Sequence, residues 1–196
     1  PLPIPKSHFL CPLKYFNTGT LGLLPISTLN SSHSITTFFT RDPVTNYYGY
    51  VMSLASEVQR VASDYLGCKY EEITFSNSTT KSLNLVWSGL GEGGVVEKGD
   101  VILTTTTEHE GGLSGLTFLA EQKGVRIIKL DVGLDRDVTK GCILDLFEEK
   151  FGEFEGLVKA VFISHVSCVT GVRNPIKELA KMAHDNGAII VVDGAQ

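Results

Sequence analysis

Asp193 closes an apolar run, Ala188-Ile189-Ile190-Val191-Val192, and Gly194, Ala195 and Gln196 follow it. A carboxylate carried by such a run must meet a cation or strong hydrogen-bond donors to offset its desolvation. A protonated ring nitrogen of a bound molecule would serve, and so would a buried lysine. Gln196 adds an amide to the same segment. A second group, Ser76-Asn77-Ser78-Thr79-Thr80, gathers hydroxyls and backbone N–H groups ahead of a helical stretch. It could hold a phosphate at the positive end of the helix, or its hydroxyls could cap the helix's own donors. A third, Thr104-Thr105-Thr106-Thr107-Glu108-His109, brings an imidazole that could stack on an aromatic ligand or move a proton, or could face solvent in a loop. Glu108 and Glu110 could be surface charges, the preferred reading for Glu110. A fourth, Val161 to Gly171, ends in Ser167, Cys168 and Thr170, small polar residues suited to lining a ligand crevice. No helix start or cationic neighbour that would activate the Cys168 thiol is evident, so it reads as a packing or ligand-lining residue. His165 reads as a hydrogen-bonded structural residue.

These groups need elements to position them. Val44, Tyr47, Val51, Leu54, Val58, Val61, Ala62 and Tyr65 keep helical spacing, and Gly67 supplies the stop, so a long helix is predicted over 44–66. Short apolar runs then alternate with helical stretches. Strands are predicted at 73–75, 101–104, 125–130, 159–164 and 188–192, and helices at 79–89, 112–123, 143–150 and 176–186. Gly91, Gly93 and Gly94, Lys98-Gly99-Asp100 and Asn186-Gly187 supply the turns. Alternation of this kind predicts an α/β fold with a mainly parallel sheet and helices on both faces. Ligands of such sheets gather beyond the carboxyl ends of the strands, where all four groups fall.

Composition narrows the partners. Hydrophobic residues at 42% and charged residues at 20% are ordinary for a globular chain and exclude disordered and fibrous classes. A net charge of −5, with scattered lysines and arginines, gives no footprint for nucleic acid, so a small molecule is expected. No apolar run is long enough to span a bilayer, and Pro1 to Phe16 is broken by prolines and lysines; a soluble cytoplasmic protein is expected. The widely spaced Cys11, Cys68, Cys142 and Cys168 suggest neither a disulfide framework nor a structural zinc site.

Taken in order along the chain, these segments resemble the class V aminotransferase and cysteine desulfurase family of fold type I pyridoxal 5′-phosphate (PLP) enzymes, in particular its isopenicillin N epimerase-like and carbon–sulfur lyase-like branches. Asn17-Thr18-Gly19-Thr20-Leu21-Gly22 with Pro25 resembles an N-terminal loop that lies near the active site. Ser78-Thr79-Thr80 with Asn84 is similar to the family's phosphate-binding turn, Glu108-His109 to the segment whose histidine stacks on the cofactor ring, and Asp193-Gly194-Ala195-Gln196 to the segment that binds the ring nitrogen and phenolic oxygen.

The resemblance implies the large domain of an aspartate aminotransferase-like fold, with 1–43 as a segment near the active site and 44–196 as the N-terminal part of the PLP-binding domain. It implies Ser78, Thr79, Thr80, His109, Asp193 and Gln196 as cofactor-binding residues, with His109 also catalytic. Asn17, Thr18, Gly19, Ser167 and Cys168 would line substrate or cofactor. The expected substrate is an amino acid or amine, the reaction transamination, epimerisation or carbon–sulfur cleavage, and the complete enzyme a homodimer. Val166-Ser167-Cys168 stands where many relatives have Val-Ser-Asn. The family's Schiff-base lysine would follow Asp193 at a distance this chain does not reach, so the chain is expected to hold the cofactor-binding portion without that lysine. The alternatives are a non-catalytic binding module and, last, a nucleotide-binding domain, which lacks a GxGxxG fingerprint and a P-loop lysine.

Overall fold

The computed structural model describes residues 6–11, 14–134 and 139–196, and divides into two compact units, Pro1–Phe75 and Ser76–Gln196. Residues 1–5 and 12–13 of the expected 1–43 segment lie outside the described residues.

The first unit is helical. Helix α1 spans Ile26–Arg41, α2 Pro43–Asn46 and α3 Met52–Leu66, with a π-helical turn at Tyr47–Val51 joining the last two. The helix predicted over 44–66 is therefore present as a continuous helical stretch. Gly67 ends it in the left-handed conformation, φ 71°, with its N–H donated to Ser63 O at 2.8 Å. The sequence reading gave no helix over α1. Its hydroxyl residues explain why: Ser34, Thr36 and Thr40 each turn back to donate to a carbonyl one turn earlier, masking an apolar stripe with residues of low helix propensity.

The strand predicted at 73–75 does not form. These residues run extended after a 3₁₀ turn at Tyr70–Glu72 but pair with no strand among the described residues, and Ile73 O accepts from the Gln59 side chain instead. β-branched residues favour extended backbone, yet only a neighbouring strand makes it a sheet.

The second unit alternates helix and strand: α4 Thr79–Glu92, β1 Val101–Thr105, α5 Glu110–Lys123, β2 Arg126–Leu130, α6 Lys140–Glu153, β3 Val158–Ser164, α7 Ile176–Asp185 and β4 Ile189–Asp193. The strands form one parallel sheet in the order β2-β1-β3-β4, so β1 and β3 are central, β1 buried throughout and β3 at every residue but the half-buried Lys159. One face, through Val101, Leu103, Val161 and Ile163, packs on Ile143, Phe147 and Phe151 of α6 and Leu179 and Ala183 of α7. The other, through Ile102, Ala160, Phe162 and Val191, packs on Leu83 and Trp87 of α4 and Leu113, Leu116 and Leu119 of α5. Strands covered on both faces need no polar alternation, which is why they read as continuous apolar runs. Among the described residues, no helix is long and apolar enough to cross a membrane.

Candidate functional site

Parallel pairing brings the ends of β1, β3 and β4 to one edge of the sheet. Beyond that edge stand the starts of α4 and α5, each opened by a residue that sequence reading selected. Ser78 is the N-cap of α4: its Oγ accepts from the Lys81 N–H at 3.3 Å. Thr79 and Thr80 form the exposed first turn. His109 is the N-cap of α5 and Nδ1 accepts from the Gly111 N–H at 3.0 Å, which leaves Nε2 as the ring's donor.

Three glycines on α5 let these helix starts meet. A Cβ on Gly111 would stand 2.6 Å from Thr80 Oγ1 and 3.0 Å from His109 Nδ1. On Gly112 it would meet Phe162 Cζ at 2.5 Å, and on Gly115 it would meet Asn84 Oδ1 at 2.1 Å. Trp87 locks the approach by donating Nε1–H to Gly112 O at 3.1 Å. The structure thus gathers Thr80 and His109 around Gly111. Sequence reading missed these glycines; their spacing on a helix, costly by propensity, was the available signal.

The acidic side of the rim is built by sheet register. Phe162 pairs with Val191 on the face covered by α4 and α5, so Ser164 and Asp193, one repeat further on, point to the same face. Asp193 is 7% exposed, and its Oδ1 accepts from the Ala195 N–H at 2.9 Å. Glu108 is equally buried, so it is not a surface charge. The chain turns sharply after β1, with the Thr107 N–H on Thr105 Oγ1 at 3.3 Å, and this swings the Glu108 carboxylate inward. It accepts from Thr105 Oγ1 at 2.6 Å, from the Ser164 N–H at 2.8 Å and from Ser164 Oγ. Among the described residues, neither carboxylate makes an ion pair. Thr104, on the Ile102 face, has a buried hydroxyl without a partner among the described residues.

Burial pushes the Glu108 carboxyl above its usual range, against the pull of the Ser164 and Thr105 hydrogen bonds, and the Asp193 charge adds to the rise. The folded state therefore holds this proton more tightly than the unfolded chain. The stability it contributes is present below the unfolded value of 4.5 and is lost as pH rises through the higher folded value. Glu108→Gln has no such proton to lose. Its unfolding midpoint should gain on the wild type as pH rises from about 4.5 towards 7, read by thermal melts across that range; a constant difference would contradict this.

The other expected residues are placed as follows. Ser167 is buried and its Oγ accepts from the Val169 and Thr170 N–H groups, closing a turn completed by Gly171 at φ 73°. Its hydroxyl is engaged by its own turn, and Cys168 is exposed at the tip. The His165 side chain is exposed, while its N–H donates to Asp193 O at 2.8 Å and its carbonyl accepts from the Asn174 N–H at 2.9 Å. Gln196 is exposed after β4. Asn17, Thr18 and Gly19 belong to the first unit, in a turn where Asn17 Oδ1 accepts from Thr20 Oγ1 at 2.8 Å.

A family model described as aminotransferase class-V matches residues 42–196. A probable cysteine desulfurase of Pyrococcus abyssi is 37% identical over 71% of this chain, and a cysteine desulfurase of Escherichia coli is 31% identical over 71%. In each case the match covers 32% of the relative, so the chain spans about a third of the length of the curated relatives it matches. Among solved structures, a mutant of C-DES with glycine covalently linked to its PLP cofactor superposes with a TM-score of 0.83 at 21% identity, over 98% of this chain and 50% of that one. The apo cysteine desulfurase of Thermococcus onnurineus gives 0.59 at 33% identity, over 70% of this chain and 32% of that one. The parallel α/β sheet is that of the aminotransferase-like fold, and the chain belongs to the class V aminotransferase family.

Proposed function

We propose that this chain is the cofactor-binding portion of a PLP-dependent enzyme that acts on an amino acid or amine. The observation that carries the reading is Asp193: a carboxylate buried at a strand end, without a cation among the described residues, on the sheet face from which α4 and α5 present Thr80 and His109. A lysine does not fill the role, and the protonated ring nitrogen of PLP would. The rest of the rim fits the same molecule. The first-turn N–H groups and hydroxyls of Thr79 and Thr80, beside the Ser78 cap, suit a phosphate dianion. His109 would cover the ring and move a proton at Nε2, and Gln196 would donate its amide to the phenolic oxygen. Bound PLP supplies an electron sink for the carbanion formed when a substrate loses a group at its α-carbon. Asp193 would serve that chemistry by holding the ring proton in place.

In this reading the complete protein is a cytoplasmic homodimer that carries out transamination, epimerisation or carbon–sulfur cleavage. Ser167 and Cys168 then line the active site. The names of the relatives, cysteine desulfurase and cystine C–S lyase, favour the last reaction. Pyridoxamine phosphate tests the site because, lacking an aldehyde, it cannot label surface lysines. Binding measured by calorimetry on the 196-residue chain should be saturable. Pyridoxamine without the phosphate should bind at least about tenfold more weakly, since each hydrogen bond to a charged group contributes about 1.5–3 kcal/mol. Equal affinities would overturn the phosphate assignment.

A further inference from the structure

Glu108 is the one buried titratable group among the described residues to which the proposed chemistry gives no task, and its contacts cross the site. It adjoins His109 in sequence, it sits where β1 ends, and its carboxylate accepts from both the backbone N–H and the hydroxyl of Ser164 on β3. Ser164 is the register partner of Asp193 on β4, and the next N–H in the chain, that of His165, donates to Asp193 O at 2.8 Å. Thr105 Oγ1 holds the other carboxylate oxygen at 2.6 Å. We propose that Glu108 is a positioning residue: its carboxylate ties the His109 loop to the strand end that carries Asp193, so that the two ring-binding side chains are held in fixed relation before the cofactor arrives. The role rests on the PLP reading of His109 and Asp193.

Reach, rather than charge, makes the tie. The donors on Glu108 come from two strands, and a side chain one methylene shorter cannot span them. A glutamine can: its oxygen faces Ser164, and its amide donates to the Thr105 hydroxyl, which is able to accept. Aspartate keeps the charge and loses the reach. The two substitutions therefore separate a spanning role from an electrostatic one.

The test compares the wild-type 196-residue chain with Glu108→Gln and Glu108→Asp, in pyridoxamine phosphate affinity and in amide hydrogen exchange without ligand. Wild type and E108Q should bind within about threefold of each other, and E108D about tenfold more weakly. Exchange at Ser164, taken relative to Val161 in the middle of the same strand, should accelerate in E108D alone. General destabilisation would move both amides together. Equal affinity in all three proteins, or loss in E108Q with retention in E108D, overturns the proposal. Should E108D fail to fold, Thr105→Val removes one donor at constant shape: weaker binding supports the tie and unchanged binding overturns it. If the wild type binds no pyridoxamine phosphate, the cofactor reading fails, and the exchange ratio alone decides whether the tie exists.

Discussion

Trp87→Ala should cost the second unit about 3–5 kcal/mol, the usual range for emptying a large aromatic from a core. Trp87 is 2% exposed, meets the Phe162 ring edge-on at 5.2 Å and bonds Gly112 O through its indole N–H. It therefore joins α4, α5 and the sheet at one point. Against a total stability of about 5–15 kcal/mol, such a loss leaves a chain that unfolds at much lower urea concentration. Trp87→Phe keeps most of the ring packing and gives up the indole hydrogen bond, while Gly112 O lies inside α5 where the helix supplies a donor, so it should cost less, about 0.5–1.5 kcal/mol for the lost bond. Urea unfolding followed by circular dichroism checks both. A loss under about 1 kcal/mol for the alanine variant would mean that Trp87 does not hold the two helix starts together.

Asp193→Asn should weaken pyridoxamine phosphate binding about 100-fold or more, because removing one partner of a buried charge pair costs about 3–5 kcal/mol. The substituted amide keeps the shape of the side chain and can still accept from the Ala195 N–H. The unliganded chain should lose little stability, since a buried, unpaired carboxylate is itself expensive. Affinity by calorimetry and unfolding midpoint by melting separate the two effects. Unchanged affinity would remove Asp193 from the site; a collapse in stability would make it a structural residue.

The sheet was legible in the sequence because β1 and β3 are apolar runs without alternation, a signature of strands covered on both faces, and because their lengths exclude helices; β4 is an apolar run of the same kind, although it stands last in the strand order with Val192 exposed. Gly67 and Asn186-Gly187 marked helix ends for equally local reasons. Failures came where the deciding partner is distant in sequence. Ile73–Phe75 has the composition of a strand and, among the described residues, no strand paired with it. Sequence leaves open whether Glu108 is a surface charge; Ser164, brought alongside by the β1–β3 pairing, supplies the donors that hold it inside. Gly111, Gly112 and Gly115 show only that α5 tolerates glycine; the close approach of Thr80, Phe162 and Asn84 gives the reason. Asp193 could be selected from sequence since its run is local, but the lack of a cation beside it among the described residues is a property of the fold.

The central claim, that this rim binds a pyridoxal phosphate-type molecule, is tested most directly by following backbone amide resonances of the 196-residue chain during titration with pyridoxamine phosphate. Saturable shifts concentrated at Ser78–Lys81, His109–Gly111 and Asp193–Gln196 are the predicted result. Saturable shifts centred elsewhere, or no saturable shift with the chain folded, would contradict the claim.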